Sequence, residues 1–354
     1  MQASAFTEHR NLRATPPPAA SDRRRRRLPR MPHGEKYAAQ MRLARIARRI
    51  GVGLALTAVG VTACSQGVVD GSARPGIPYR QASPGPFVET DGTATRYERF
   101  GTGGNPIVLV HGFVESTYAW RPVAKLLARD HVVYALDLRG FGYSEPRGPF
   151  GLDGWTRQLA AFLKVLAIHR PLLVGHSLGA AVIAELARRE PAAVRGLVLA
   201  DGDARKGGAG PPPILRNLIV DPFFAAATTV LTRWATPAEA ILRRAWGPDH
   251  PPIGAAAIDP WLAPFRLQGS ADALFAIAHQ PLAGLDDAAL ASVRTPSLVL
   301  WGDSDTSVPL AAGRIAARLL RAPLVVLPRA GHLSMLADPA GFAAAVEHFD
   351  STLR

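Results

Sequence analysis

The amino-acid sequence predicts an α/β protein with a mainly parallel central sheet, helices on both faces of that sheet and a helical cap insertion. Three observations lead to this fold class. Short continuous apolar runs recur along the chain, which is the pattern of strands buried on both faces. Segments with helical apolar spacing separate these runs, and such alternation is typical of a parallel sheet covered by helices. One stretch, 203–287, interrupts the alternation because it contains no convincing strand.

The first strands are predicted to form a hairpin. Residues 87–100 read FVETDGTATRYERF, in which two alternating runs flank Asp91-Gly92, a dipeptide that favours a type I′ turn. Six apolar runs follow and are predicted to be strands buried on both faces: PIVLV at 106–110, HVVYAL at 131–136, PLLV at 171–174, VRGLVLA at 194–200, SLVLW at 297–301 and PLVVL at 323–327.

Helices are predicted between these strands at 120–128, 155–168, 180–189 and 315–320. A last helix begins at Pro339, because Asp338 is a favourable N-cap and proline is favoured at the first helical position. The stretch 203–287 contains seven Phe and Trp residues, too many for a disordered loop. We therefore expect it to form a small helical insertion, packed over the C-terminal edge of the sheet.

The net charge of +13 lies mostly ahead of the predicted globular region. Residues 1–64 hold 13 of the 41 Lys and Arg and 3 of the 28 Asp and Glu, a net charge of +10, which leaves +3 for the rest. Taken alone, Arg23–Arg27 has the charge of a nucleic-acid-binding tail. It precedes a basic segment from Met41 and an apolar run, Ile50–Val61, which is the order of a secretory signal peptide. We therefore predict a leader at 1–63 and no nucleic-acid partner.

Cys64 is the only cysteine of the chain, so it has no intramolecular disulfide partner. The tetrapeptide Val61-Thr62-Ala63-Cys64 resembles the lipobox of bacterial lipoproteins. The resemblance implies that the Cys64 thiol is lipidated, and that the protein is exported and associated with a membrane outside the cytoplasm. Residues 64–86, dense in Gly, Pro and Ser, would then be a flexible tether. The alternatives are an N-terminal segment that anchors the chain without cleavage, and a cytoplasmic protein with an unprocessed leader.

A candidate nucleophile follows the PLLV run. Gly175-His176-Ser177-Leu178-Gly179 fits the pattern G-x-S-x-G at a junction between a strand and a helix. A serine on such a tight corner projects its hydroxyl from the edge of the sheet, and side chains two residues before and after it would collide. Glycine is therefore expected at Gly175 and Gly179, and the pattern predicts Ser177 as a nucleophile.

On this motif and on those described next, the sequence resembles the α/β-hydrolase fold family over 87–353. The resemblance implies a hydrolase core at 87–202 and 288–354, with the cap at 203–287 between its two parts.

The segment His111-Gly112-Phe113 is similar to the HG-x oxyanion loop of this family. By that resemblance the backbone N–H groups of Phe113 and Leu178 would hold a developing oxyanion. His111 is then expected to shape the loop and not to transfer protons. The segment 137–144 (DLRGFGYS) resembles the family's D-x-R-G-x-G-x-S loop, which we interpret as structural.

A serine hydroxyl needs a base and an orienting acid, and the resemblance implies the chain order serine, acid, histidine. The segment 302–309 (GDSDTSVP) is similar to the family's G-x-x-D-x-x-x-P loop, which assigns the acid to Asp305. Asp303 is the runner-up and Asp201 a more remote candidate. His332 follows the last predicted strand, where the family places its base.

Together, the residues and the resemblance imply hydrolysis of a small, hydrophobic carboxylic ester through an acyl-enzyme. No cofactor or metal is predicted, because the sequence has neither clustered His and Cys ligand spacing nor a strand-associated G-x-G-x-x-G. Serine-bearing relatives leave C–C bond hydrolases of ring-cleavage products, perhydrolase-type enzymes, lipases and thioesterases open. The alternative from a different class is a non-catalytic, membrane-tethered binding or signalling protein on the same scaffold.

Overall fold

The computed structural model describes residues 78–353, without Pro84, 207–234 and 281–283. The predicted leader, Cys64 and most of the predicted tether lie outside these residues. Where the described chain begins, Tyr79–Ala82 form one turn of helix, α1.

Eight strands form one sheet in the described part of the chain, in the order β1-β2-β4-β3-β5-β6-β7-β8. Their bounds are β1 Phe87–Thr90, β2 Thr93–Phe100, β3 Pro106–Val110, β4 Val132–Leu136, β5 Leu172–His176, β6 Gly196–Ala200, β7 Ser297–Gly302 and β8 Leu324–Leu327. The hairpin strand β2 pairs antiparallel with both β1 and β4, and all other pairs are parallel. The predicted mainly parallel sheet is therefore confirmed.

The β1–β2 hairpin has the turn that the sequence predicts. Thr90 pairs with Thr93, so Asp91 and Gly92 alone make the connection. Both have positive φ, 47° and 69°, as a type I′ turn requires.

Helices alternate with the parallel strands. They are α2 Arg121–Leu127, α3 Leu152–Val165, α4 Leu178–Arg189, α5 Ala235–Trp246, α6 Ala255–Leu262, α7 Ser270–Ala278, α8 Asp287–Ala291, α9 Leu310–Leu320, α10 Ser334–Ala337 and α11 Pro339–Thr352. Short 3₁₀ turns lie at Thr117–Trp120, Pro191–Ala193 and Ala263–Arg266. The α11 N-terminus agrees with the prediction, because the Asp338 side chain accepts a hydrogen bond from the Gly341 N–H at 2.9 Å.

The alternating residues of β3 divide the core between the two faces of the sheet. Val108 and Val110 belong to a cluster with apolar residues of α3, α4 and α9. Ile107 and Leu109 belong to a second cluster, with apolar residues of α2 and α11. The prediction of helices on both faces is thus confirmed.

The last strand differs from the prediction. The PLVVL run was expected to be buried on both faces, yet Val325 and Val326 in β8 are 36% and 38% exposed. In the sheet order β8 is the terminal strand and is paired with β7. The apolar run therefore predicted the strand correctly but not its position at the edge of the sheet. An edge strand has a neighbouring strand on one side, so its side chains are less completely buried.

The segment between β6 and β7 contains the helices α5, α6, α7 and α8 in the part that the structure describes. It leaves and rejoins the core at one point, where the Lys206 N–H donates to the Leu285 carbonyl and the Leu285 N–H to the Ala204 carbonyl, each at 2.8 Å. Residues 207–234 of the predicted cap lie outside the described part. Among the helices that the structure describes, none is long and apolar enough to cross a membrane.

Candidate active site

Ser177 occupies a strained corner between β5 and α4. Its φ is 49° and its ψ is −111°, a conformation that non-glycine residues rarely adopt. The neighbouring chain leaves no room for side chains: a Cβ at Gly175 would lie 2.4 Å from the Gly179 carbonyl oxygen, and one at Gly179 would lie 2.3 Å from that of Val110. The Ser177 N–H donates to the Ala200 carbonyl at 2.9 Å, which fixes the corner against β6.

Three side chains from separate loops form one hydrogen-bonded chain at this corner. The Ser177 Oγ lies 3.2 Å from His332 Nε2, and His332 Nδ1 lies 2.8 Å from Asp305 Oδ2. The second oxygen of Asp305 accepts the N–H groups of Ser307 and Val308 at 2.7 and 2.9 Å. These two bonds fix the carboxylate, so its free oxygen is directed at the imidazole. The structure thus brings together the three residues that the sequence proposed as nucleophile, acid and base.

The two other candidate acids serve different contacts. Asp303 Oδ1 accepts hydrogen bonds from the Ser304 hydroxyl and the Arg329 N–H, at 2.8 and 2.7 Å. Asp201 is fully buried and accepts the Gly302 N–H at 2.8 Å, and the Ser334 hydroxyl bonds to its other oxygen. Burial raises the pKa of Asp201 to about 6. Both carboxylates hold loops around the site, and Asp305 is the carboxylate hydrogen-bonded to the imidazole.

The predicted oxyanion donors lie on two segments that approach closely. Leu178 is the first residue of α4, so its N–H has no acceptor within the helix. The absence of a side chain at Gly179 lets α4 begin against the Val110 and His111 carbonyls, where the loop with Phe113 starts. The Phe113 ring is 44% exposed and lies 5.6 Å from the ring of Phe141.

His111 shapes the loop through both ring nitrogens. Its Nε2 accepts the Leu138 N–H at 2.9 Å, and its Nδ1 lies 2.7 Å from the Gly112 carbonyl. One nitrogen therefore accepts and the other donates, which describes a neutral imidazole. Burial lowers the pKa of His111 and so favours this form.

The glycine-rich loop 137–144 is also held by internal hydrogen bonds. Asp137 accepts the N–H groups of Thr117 and Tyr143 at 2.6 and 2.8 Å, and the Ser144 hydroxyl donates to the Asp137 carbonyl at 2.6 Å. Among the described residues, no group of three or more His, Cys, Asp or Glu side chains is placed to hold a metal ion.

The loop that carries His332 is attached to the helical insertion. The Gly331 N–H donates to the Trp246 carbonyl at 2.9 Å and the Leu333 N–H to the Ala245 carbonyl at 2.8 Å, both at the C-terminus of α5. Arg244 in the same helix donates to the Thr306 hydroxyl at 3.0 Å, beside Asp305. The insertion thus contacts the loops of both His332 and Asp305.

A second buried imidazole, which the sequence reasoning passed over, adjoins the site. His176 precedes Ser177. Its Nδ1 is hydrogen-bonded to Glu115 Oε2 at 3.0 Å and lies 2.9 Å from Oε1, and its Nε2 lies 2.7 Å from the His332 carbonyl oxygen. Glu115 Oε2 also accepts the Gly112 N–H, at 3.0 Å. The motif places His176 beside the candidate nucleophile, but the 61 positions between His176 and Glu115 hide their contact from sequence analysis.

The candidate site lies at the end of β5 in a mainly parallel sheet covered by helices on both faces, and this fold is that of the α/β hydrolases. The chain belongs to the alpha/beta hydrolase family, whose model matches residues 107–345.

Individual relatives agree with this membership. The chain is 28% identical over 249 residues to the uncharacterized hydrolase YugF of Bacillus subtilis, an alignment that covers 69% of this chain and 89% of the relative. It is 30% identical over 271 residues to a 2-hydroxymuconate semialdehyde hydrolase of a Pseudomonas species, covering 70% and 87% respectively. A solved serine hydrolase involved in carbazole degradation matches with a TM-score of 0.63 at 25% identity, over 75% of this chain and 98% of that one.

Proposed function

We propose that this hydrolase cleaves carboxylic esters through an acyl-enzyme formed on Ser177, with His332 as base and Asp305 as orienting acid. The observation that carries the proposal is the continuous hydrogen-bonded chain from Asp305 through His332 to Ser177.

The geometry suits a two-step acyl transfer. His332 Nε2 accepts the proton of the Ser177 hydroxyl as the oxygen attacks the ester carbonyl, and returns it to the leaving alcohol. Water then attacks the acyl-enzyme by the same route and releases the acid. Asp305 accepts the Nδ1–H of His332, which keeps Nε2 free to take the proton. The N–H groups of Phe113 and Leu178 would stabilise the oxyanion, and each such donor typically contributes a few kcal/mol.

An apolar acyl group is the proposed substrate feature. The Phe113 ring stands next to a proposed oxyanion donor and is partly open to solvent. A Cβ at Gly140 would lie 2.7 Å from Ile277 of α7 and 2.8 Å from Phe150 of the core, so an apolar side chain of the insertion reaches the glycine-rich loop beside Phe141. These surfaces favour a hydrophobic ester.

Hydrolysis of a C–C bond is the second candidate. It is favoured by the 30% identity to the 2-hydroxymuconate semialdehyde hydrolase across most of that protein. A screen that compares esters of short to long acyl chains with ring-cleavage products separates the two candidates. Ester turnover is expected, and activity confined to ring-cleavage products would replace the ester proposal with the second one.

A fluorophosphonate probe tests the nucleophile independently of substrate. We expect the probe to label wild type and Ser292→Ala, whose serine is exposed on the C-terminal side of α8. Labelling should vanish in Ser177→Ala. An unlabelled, folded wild type would contradict the enzyme proposal and favour a non-catalytic binding role.

Attachment to a membrane through a lipidated Cys64 is the proposed localisation, supported by the lipobox-like Val61-Thr62-Ala63-Cys64. Mass analysis of the mature N-terminus tests it, with Cys64→Ser as the control. A diacylglyceryl mass on Cys64 is expected, together with membrane association that the control loses. A chain that begins elsewhere with an unmodified thiol would contradict it.

A further inference from the structure

We propose that His176 is a positioning residue for the base, held in its doubly protonated form by Glu115, and that this pair ties the oxyanion loop to the loop of His332. The inference rests on the proposed function, since it concerns how the same site is kept in order.

With Glu115 ionised, as its lowered pKa favours, hydrogen-bond chemistry requires the doubly protonated ring. The His332 carbonyl only accepts, so His176 Nε2 must donate to it across 2.7 Å. An ionised Glu115 also only accepts, so Nδ1 must donate to its Oε2 across 3.0 Å. A neutral imidazole has one N–H and can satisfy one of these acceptors. The observed arrangement therefore needs an imidazolium.

The charges around His176 support this protonation state. Burial by itself would lower the pKa of His176, but the adjacent Glu115 carboxylate outweighs it and raises the pKa to about 9. Asp201 on the neighbouring strand end acts in the same direction. For Glu115 the two effects have the opposite signs: burial by itself would raise its pKa, but the charge of His176 outweighs burial and lowers the pKa. The other titratable rings nearby are His111 and His332, the latter with its ring centroid 4.8 Å from that of His176.

The two ends of the pair act on different parts of the site. Glu115 accepts the Gly112 N–H, which fixes the His111–Gly112 peptide, one peptide ahead of the Phe113 N–H. His176 holds the backbone carbonyl of His332, while α5 holds the N–H groups on either side of that residue. The base is therefore fixed through its own backbone from two directions. His176 and Glu115 transfer no proton to substrate in this account.

Activity should have an alkaline limit set by His176. As pH rises through about 9, His176 loses one N–H, and either Glu115 or the His332 carbonyl loses its donor. In Glu115→Gln the amide NH₂ can donate to Nδ1 of a neutral His176 while its oxygen accepts the Gly112 N–H. This network is complete without the charge, so the limit near 9 should disappear.

The first experiment measures the rate of fluorophosphonate labelling from about pH 6 to 10, together with ester turnover where the screen provides a substrate. Wild type should slow above about 9, whereas Glu115→Gln should not. Glu185→Gln is the matched control, because Glu185 is equally buried and ion-paired with Arg188 and Arg189 but lies on α4 away from the site. It should keep the wild-type profile. A circular dichroism spectrum recorded at each pH excludes unfolding as the cause, because the spectrum of the folded protein should persist where labelling slows.

The second experiment separates the two hydrogen bonds of His176. In His176→Gln the amide nitrogen falls near the position of Nε2 and can still donate to the His332 carbonyl. In His176→Asn it falls near Nδ1 and reaches only Glu115. We expect kcat to fall by up to about 100-fold in His176→Asn and by no more than about tenfold in His176→Gln. The KM should change little in either variant. His176→Gln alone leaves the Glu115 carboxylate buried without its ion-pair partner. If that variant unfolds, the double variant Glu115→Gln with His176→Gln, which has no buried charge at either position, replaces it in the comparison.

The outcomes distinguish the inference from the proposed function. A labelled wild type whose alkaline profile matches that of Glu115→Gln overturns the inference and leaves the nucleophile in place. Equal losses in the Gln and Asn variants, in proportion to their loss of thermal stability, also overturn it, because they indicate packing alone. A wild type that is unlabelled at every pH overturns both.

Discussion

Replacement of Asp305 by asparagine tests the assignment of the acid. In wild type one oxygen of Asp305 accepts the Ser307 and Val308 N–H groups at 2.7 and 2.9 Å, and the other faces His332 Nδ1 at 2.8 Å. In Asp305→Asn the amide oxygen must stay on the two N–H groups, so the NH₂ group is directed at Nδ1. An amide NH₂ holds the imidazole with its proton on Nε2, facing Ser177, and that nitrogen can no longer accept the serine proton.

The expected loss is large because the wrong tautomer removes general-base catalysis. A change of this kind in a serine triad lowers kcat by about 10⁴-fold, which raises the barrier by about 5.5 kcal/mol. Folding should be affected little, since the amide oxygen still satisfies both N–H groups.

The assay is kcat/KM on an activated ester together with the melting temperature of each variant. Asp303→Asn is the control, because Asp303 contacts Ser304 and Arg329 and the asparagine oxygen can still accept from both. It should retain activity within about threefold of wild type, less than 1 kcal/mol of barrier. Near-normal turnover in Asp305→Asn with a collapse in Asp303→Asn would refute the assignment.

Three further outcomes follow from particular contacts. Gly247→Ala should lower kcat by up to about 100-fold, because φ there is 110° and a Cβ would lie 2.7 Å from the nitrogen of Gly331, which precedes the proposed base. Gly254→Ala is the control and should leave kcat unchanged, because among the described residues no atom beyond those of its chain neighbours lies within 4 Å of a Cβ at that position. Asp338→Ala should cost about 1 kcal/mol of unfolding free energy by removing the α11 N-cap, as a denaturant titration will measure, and an unchanged midpoint would contradict the cap. The free energy of unfolding of wild type should fall relative to that of Glu115→Gln between about pH 6.5 and 9. The buried histidine beside Glu115 has a pKa raised to about 9 in the folded state and an ordinary pKa when unfolded, so its stabilising charge is lost over this range. Parallel plots of unfolding free energy against pH for the two proteins would contradict the ion pair.

Most of the fold was predictable because its strands, helices and hairpin turn are determined by short sequence patterns: apolar runs, helical apolar spacing and turn dipeptides. The buried run PIVLV is β3, and Asp91-Gly92 makes the turn with both φ angles positive. The helix α9 was predicted from Ile315 onward, yet it begins at Leu310. Its first turn, Leu-Ala-Ala-Gly, is made mostly of small residues that give little helical pattern, and the glycine there packs against the Trp301 ring.

The candidate site was predictable as three residues, since each follows a strand whose C-terminal end lies at the same sheet edge. What holds them in place was not. The contact between Glu115 and His176 joins residues 61 positions apart, and those of Gly331 and Leu333 with α5 join segments more than 80 residues apart. Such contacts depend on the packing of loops and of the insertion, for which periodicity and motifs give no signal.

The central claim is that Ser177 carries the acyl group. Wild type mixed with an activated ester, quenched in acid and digested, should yield a peptide with Ser177 whose mass is increased by the acyl group. Ser177→Ala should yield no acylated peptide under the same conditions. Turnover of the ester with the acyl mass on another residue, or undiminished turnover in Ser177→Ala, would contradict the account.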